Sequence, residues 1–269
     1  MFELDSYLWS LVAILAAGTL TWVVSLARRD VSIVDSLWSL MFLIAALVYL
    51  ATAAAPGARA FLVTLLVAVW ALRLSAHITW RNWGEGEDAR YQAIRARNEP
   101  GFAFKSLYLV FALQGFIAWI VALPLLAAIH STAPLNLIDY LGVALWMVGL
   151  LFEAVGDWQL ARFKGNPANR GRVLDTGLWR FTRHPNYFGN ACIWWGLFLL
   201  AVAAGGWWSV VSPVLMTFLL LKVSGVALLE QDITERRPAY RDYIRRTNAF
   251  IPGPPRTRSA ASSESEVRS

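Results

Sequence analysis

The feature that most limits this chain is a series of apolar runs, each as long as a bilayer is thick. A helical span needs roughly 20 predominantly apolar residues. Seven stretches qualify, at about 7–27, 33–54, 60–80, 106–128, 138–161, 186–204 and 207–229. Turn-forming sequences separate several of them: APGA at 55–58, STAP at 131–134 and AGG at 204–206. The bilayer core holds no water, so each run must satisfy its own backbone hydrogen bonds, and a helix does so. The expectation is an all-α, polytopic integral membrane protein of seven transmembrane helices. A soluble domain would not carry 57% hydrophobic residues and 14 tryptophans in 269. The opening MFELDSYLWS lacks a basic n-region and a cleavage site, so the first run is expected to be retained.

Basic residues set the expected orientation. All but three of the 24 Lys and Arg fall at 28–29, 81–105, 162–185 and beyond 230. The exceptions are Arg59 in a short loop, and Arg73 and Lys222 inside spans. The positive-inside rule then puts the N-terminus outside and the C-terminus in the cytoplasm. The net charge of +6 is read as this topology signal, not as a nucleic-acid footprint. One membrane domain over 1–255 is expected, with 256–269 a disordered, Ser- and charge-rich tail. Cys192 is the only cysteine, and His77, His130 and His184 show no ligand spacing, so no metal is expected. No internal repeat is detectable and the polar residues cluster on one side, which speaks against an inverted-repeat transporter.

Span five ends LLFEAVGDWQLARFKGNPANRGR. Glu153, Asp157 and Lys164 fall within about 40° on one helical face. Carboxylates there are costly against lipid and should face the bundle interior. They either pin neighbouring helices or hold the hydroxyls and amides of a polar ligand. Span six opens with RFTRHPNYFGN. Pro185 suits a first helical turn. Asn186 and Asn190 follow one turn apart, with carboxamides that donate and accept at once. They either bridge helices or bind a ligand. The helix start and Arg172, Arg180 and Arg183 upstream would favour an anion; topology alone would also place arginines there.

Span two opens VSIVDSLWSL, where Asp35 is a helix-terminal charge or a substrate contact. Span three carries a polar stripe of Arg73, His77 and Arg81, of which snorkelling explains Arg81 better than Arg73. The stretch NWGEGEDARYQAIR (82–95) is read as a solvated connector in preference to a ligand cap. Glu230 and Asp232 stand at the exit of span seven, before an Arg- and Tyr-rich amphipathic helix with Tyr240 and Tyr243. No GxGxxG follows a strand, and P-loop, GxSxG and HExxH motifs are absent. A nucleotide would have to be held by the helices and loops of the bundle.

The stretch GLWRFTRHPNYFGN resembles the C-terminal signature shared by steroid 5α-reductases, sterol Δ14- and Δ7-reductases and isoprenylcysteine carboxyl methyltransferases. With FEAVGDWQLARFK and Arg172 upstream, the spacing from Glu153 to Asn190 resembles the steroid 5α-reductase branch, in the form of a bacterial homologue. The likeness covers the C-terminal half, residues 138–252, and in the first half only the span count and Asp35. It implies NADPH in a cytoplasm-facing cavity of a seven-helix bundle. Asp157, Arg172 and Asn186 would contact the cofactor, with Glu153, Lys164, Trp179, Asn190, Glu230 and Asp232 at further cofactor positions. The family often has Asn at position 153 and Arg at 164, and commonly Glu at 190; Lys is a point charge, not a fork.

The resemblance implies hydride transfer from NADPH to the β-carbon of a 3-oxo-Δ4 steroid or similar lipid enone, followed by protonation of the α-carbon. The oxygen would need a donor: Asp35, if burial keeps it protonated, or else Tyr91 or Tyr243. The substrate would enter from the bilayer of a bacterial plasma membrane, and the chain would act as a monomer. The shared motif also permits an S-adenosylmethionine-dependent methyltransferase, and a non-catalytic lipid-binding protein is the third reading. The Glu153, Asp157, Lys164 and Arg172 set favours a phosphate-bearing dinucleotide.

Overall fold

The computed structural model describes residues 2–223 and 239–256. The apolar runs fold as helices α1 (Leu4–Arg28), α2 (Val34–Thr52) and α3 (Ala58–Asn82). After them come α4 (Ala89–Asn98), α5 (Phe102–Val121), α6 (Leu123–Ile129) and α7 (Leu137–Lys164). The chain continues through α8 (Pro185–Ala203), α9 (Trp207–Val223) and α10 (Tyr240–Arg246). Six of these (α1, α2, α3, α5, α7 and α8) are long and apolar enough to cross a membrane. α9 is the shorter beginning of the seventh expected run, whose remainder, 224–229, lies outside the described residues. No strand occurs among the described residues; Thr182 and Asn248 form an isolated parallel bridge.

The run expected at 106–128 is two helices, not one. Pro124 stands in the first turn of α6, where its ring and missing N–H interrupt the ladder after Val121. α5 itself passes through a π-helical stretch, Leu107–Ala112.

The described residues form two compact units, one within Met1–Ala144 and Trp195–Leu215, the other within Leu145–Trp194 and Met216–Ser269. In the first, α2 packs against α1 and α3 around Ile14, Met41, Phe42, Val67 and Trp70. α1 leaves Leu8, Trp9, Val12, Leu20, Val23 and Val24 exposed. An apolar surface that continuous suits lipid and not water.

Arg59 departs from the basic-loop pattern because it is structural. It is 1% exposed and uses all five of its N–H groups. Nε and Nη2 fork onto Asp139 at 2.7 and 2.8 Å, Nη1 reaches Ser131 Oγ and Ala133 O at 3.1 and 3.0 Å, and Nη2 also reaches Pro134 O at 2.9 Å. Asp139, in the first turn of α7, also accepts from Asn136 N at 2.8 Å. One guanidinium thus ties α3 to the 131–136 loop and the start of α7.

The 82–95 stretch, read as a solvated connector, is exposed or half-buried except at Tyr91: 83–88 is a turn and 89–95 opens α4. Asp88 caps α4 by accepting from Arg90 N at 2.9 Å. Arg95 forks onto Glu87 at 2.9 and 2.7 Å, and Glu87 accepts from Val31 N at 3.0 Å. Beneath them Tyr91 joins a buried cluster with Val31, Val34, Phe102, Val110 and Phe111. The Arg95 guanidinium holds the Glu87 carboxyl below its usual range. A depressed carboxyl pKa adds stability that is complete above the unfolded value and is lost as pH falls through the folded one. The thermal midpoint, followed by circular dichroism, should therefore fall as pH drops below about 4.5, the ordinary value for this group. Glu87→Gln should remove that component of the pH dependence.

Candidate functional site

In the second unit, glycines decide how closely α7 and α8 approach. A Cβ on Gly149 would lie 2.5 Å from Gly189 O and 2.7 Å from Ile193 N; one on Gly189 would lie 2.5 Å from Glu153 N. Gly156 likewise faces Pro185 and Asn186 N, at 3.1 and 3.2 Å. Small residues at such positions let two helix backbones touch. Gly142, Gly149 and Gly156 recur every seven residues, which keeps them on one face of α7.

The contact brings short polar side chains into reach. Asn186 Nδ2 donates to Asp157 Oδ1 at 3.1 Å, and Asn190 Nδ2 to Glu153 Oε2 at 3.3 Å. Two carboxylates one turn apart on α7 thus meet two amides one turn apart on α8, in reverse order. Glu153, Asp157 and Asn190 are buried, Glu153 to 2% exposure. Among the described residues, buried Asn190 Oδ1 and Trp146 Nε1 have no hydrogen-bond partner. Trp146 lies seven residues before Glu153, on the same face of α7. An acceptor and a donor left open in a buried place are costly unless something else meets them.

The remaining expected residues divide. Trp179, in a 3₁₀ turn at Gly177–Arg180, donates from Nε1 to Gly156 O at 3.1 Å. Its carbonyl accepts from the buried Tyr243 hydroxyl, which anchors α10 to that turn. Lys164, in the last turn of α7, and Arg172, in the loop that follows, are exposed. Glu230 and Asp232 lie outside the described residues. Arg183, expected as a phosphate partner, instead donates to the carbonyls of Ile244 and Thr247 at the end of α10. Basic side chains commonly serve helix C-termini this way. His184 is buried and stacks on Tyr187, the rings 5.5 Å apart and 3° from parallel.

In the first unit, Asp35 and Tyr91 come together. Tyr91 donates its hydroxyl to Asp35 Oδ1 at 2.6 Å and accepts from Gln114 Nε2 at 3.1 Å; Arg90 Nη2 donates to Asp35 Oδ2 at 2.8 Å. Asp35 is therefore the acceptor of two donors. Burial first, and the Asp35 charge second, hold the Tyr91 phenol far above its ordinary range, so it stays protonated. Arg90 and Gln114 were missed as site residues, although a lone glutamine in an apolar span is itself a signal. The seven-residue glycine repeat was equally visible in the sequence.

A family model described as protein of unknown function (DUF1295) matches residues 21–247. An uncharacterized protein of Schizosaccharomyces pombe is 26% identical over 269 residues, spanning 87% of this chain and 76% of its own. No solved structure matches the chain.

Proposed function

The chain belongs to the DUF1295 family, and from that premise we propose that it is a membrane reductase that uses NADPH to saturate the C=C bond of a 3-oxo-Δ4 steroid or similar lipid enone. The observation that carries this reading is the ladder Asp157–Asn186 and Glu153–Asn190, buried except at Asn186. It stands at the positions that the likeness to steroid 5α-reductases assigns to the cofactor. The group fits chemically. Carboxylates accept from ribose hydroxyls, and carboxamides match a nicotinamide amide. Asn190 Oδ1 and Trp146 Nε1 supply an open acceptor and an open donor, and Lys164 and Arg172 supply cations for phosphate. When bound, NADPH supplies the hydride.

For the substrate oxygen we assign Tyr91 as donor. It is a protonated phenol held between Asp35 and Gln114, and its one hydroxyl hydrogen, given to Asp35 in this structure, would turn to the substrate oxygen on binding. Asp35, already accepting from Arg90, is the positioning group and not itself the donor. Tyr243 is assigned to the fold, because its fully buried side chain ties α10 to the Trp179 turn. We further propose seven spans, with the N-terminus outside and the basic loops in the cytoplasm of a bacterial cell.

The test is thermal protection of the detergent-purified protein. A ligand binding only the folded state at about 100 times its Kd adds about 2.7 kcal/mol. NADPH should raise the midpoint, and progesterone or testosterone should then be converted to the saturated product. A shift with S-adenosylmethionine and none with NADPH would turn the reading to a methyltransferase.

A further inference from the structure

The second unit holds a group of arginines that the ladder does not use. Residues 247–256 are stitched onto residues 181–183. Arg183 N donates to Asn248 O at 2.9 Å, Thr182 Oγ1 to Phe250 O at 2.8 Å and Gly253 N to Phe181 O at 3.0 Å. Arg256 N returns to Arg246 O at 2.9 Å. This stitching gathers Arg180, Arg246 and Arg256 around an open cavity of about 530 Å³, with Asp175 and the hydroxyl-bearing Thr176 and Thr247 also lining it.

Three cations and one carboxylate give the lining a charge of +2. Arg246 Nη2 meets Asp175 Oδ2 at 3.2 Å. Among the described residues, Arg180 and Arg256 have no carboxylate partner. Guanidinium groups held together by the backbone repel one another unless an anion lies between them. Arginine forks match the tetrahedral oxygens of phosphate, and hydroxyls supply further donors.

We propose that this cavity binds a phosphate group, carried either by a soluble phosphate ester or by a phospholipid headgroup. The inference is independent of the reductase reading, since none of the seven lining residues is assigned there to the dinucleotide.

The test uses the full chain in detergent, with phosphate replacing chloride at constant ionic strength and the thermal midpoint as readout. A second arm compares nanodiscs of phosphatidylcholine with nanodiscs containing phosphatidylglycerol. Phosphate should raise the midpoint of the wild-type protein if the source is soluble; if it is a headgroup, phosphatidylglycerol should do so beyond phosphatidylcholine, whose phosphate is already paired with its own choline. Arg180→Gln with Arg256→Gln should weaken whichever protection occurs by about tenfold or more, because charge-assisted contacts are lost. The midpoint without phosphate should change little, both side chains being exposed. Arg256→Gln alone should act in the same direction with a smaller change. Protection by neither source, or equal protection of the double variant, would overturn the assignment.

Discussion

Replacing Arg59 by alanine is expected to destabilise the first unit by about 3–5 kcal/mol, the cost of leaving one partner of a buried ion pair uncompensated. Asp139, with 0% exposure, would keep its charge and lose both fork contacts. The carbonyls of Ala133 and Pro134 and the Ser131 hydroxyl would lose their donor at the same step. A loss of that size is a large part of the roughly 5–15 kcal/mol that holds a typical protein folded. Denaturation in mixed detergent micelles measures it. Arg59→Met combined with Asp139→Leu should be less damaging than Arg59→Ala alone, since it leaves no buried charge. If Arg59→Ala unfolds with the wild-type midpoint, the clasp does not hold this loop.

Gly189→Val is expected to break the second unit at the point where its two long helices touch. Even the first carbon of the new side chain would sit 2.5 Å from Glu153 N and from Gly149 O, and both are backbone atoms that cannot rotate away. Overpacking a tight contact costs about 1–3 kcal/mol, occasionally more. Here relief requires moving α8 off α7, which separates Asn190 from Glu153 and Asn186 from Asp157. The expected result is therefore double: a lower thermal midpoint and no protection by NADPH at concentrations that protect the wild type. A folded variant that keeps wild-type NADPH protection would show that the ladder does not depend on the glycine contact.

Why the ladder could be read from the sequence, and the clasp could not, follows from range. Apolar length is set by the bilayer, so the six long helices were legible, apart from the break at Pro124 that hydropathy alone passes over. Carboxylates at 153 and 157 and amides at 186 and 190 share the helical period, so each pair announced a common face. Their pairing with each other needed only the two faces to meet. Arg59 and Asp139, by contrast, are 80 residues apart. Nothing in APGARA or in LNLIDY points from one to the other. Arg183 and Arg180 looked alike beside HPNYFGN, yet backbone carbonyls took one and a cavity the other. The 82–95 stretch is legible as a connector, but its local order is not, because composition does not distinguish the Glu87–Arg95 and Asp88–Arg90 pairs from the charges of a loop.

The central claim is that the α7–α8 ladder holds a dinucleotide, and the dissociation constant of NADPH across a double-mutant cycle tests it most directly. Calorimetric titration of the wild type, Asp157→Ala, Asn186→Ala and the double variant supplies the four values. Each single change should weaken NADPH by about tenfold or more, as expected when a hydrogen bond to a charged group is lost. The double variant should bind little worse than either single, because the two residues are hydrogen-bonded to each other. A wild type that does not bind NADPH, or an Asn186→Ala variant that binds it with the wild-type constant, would contradict the account.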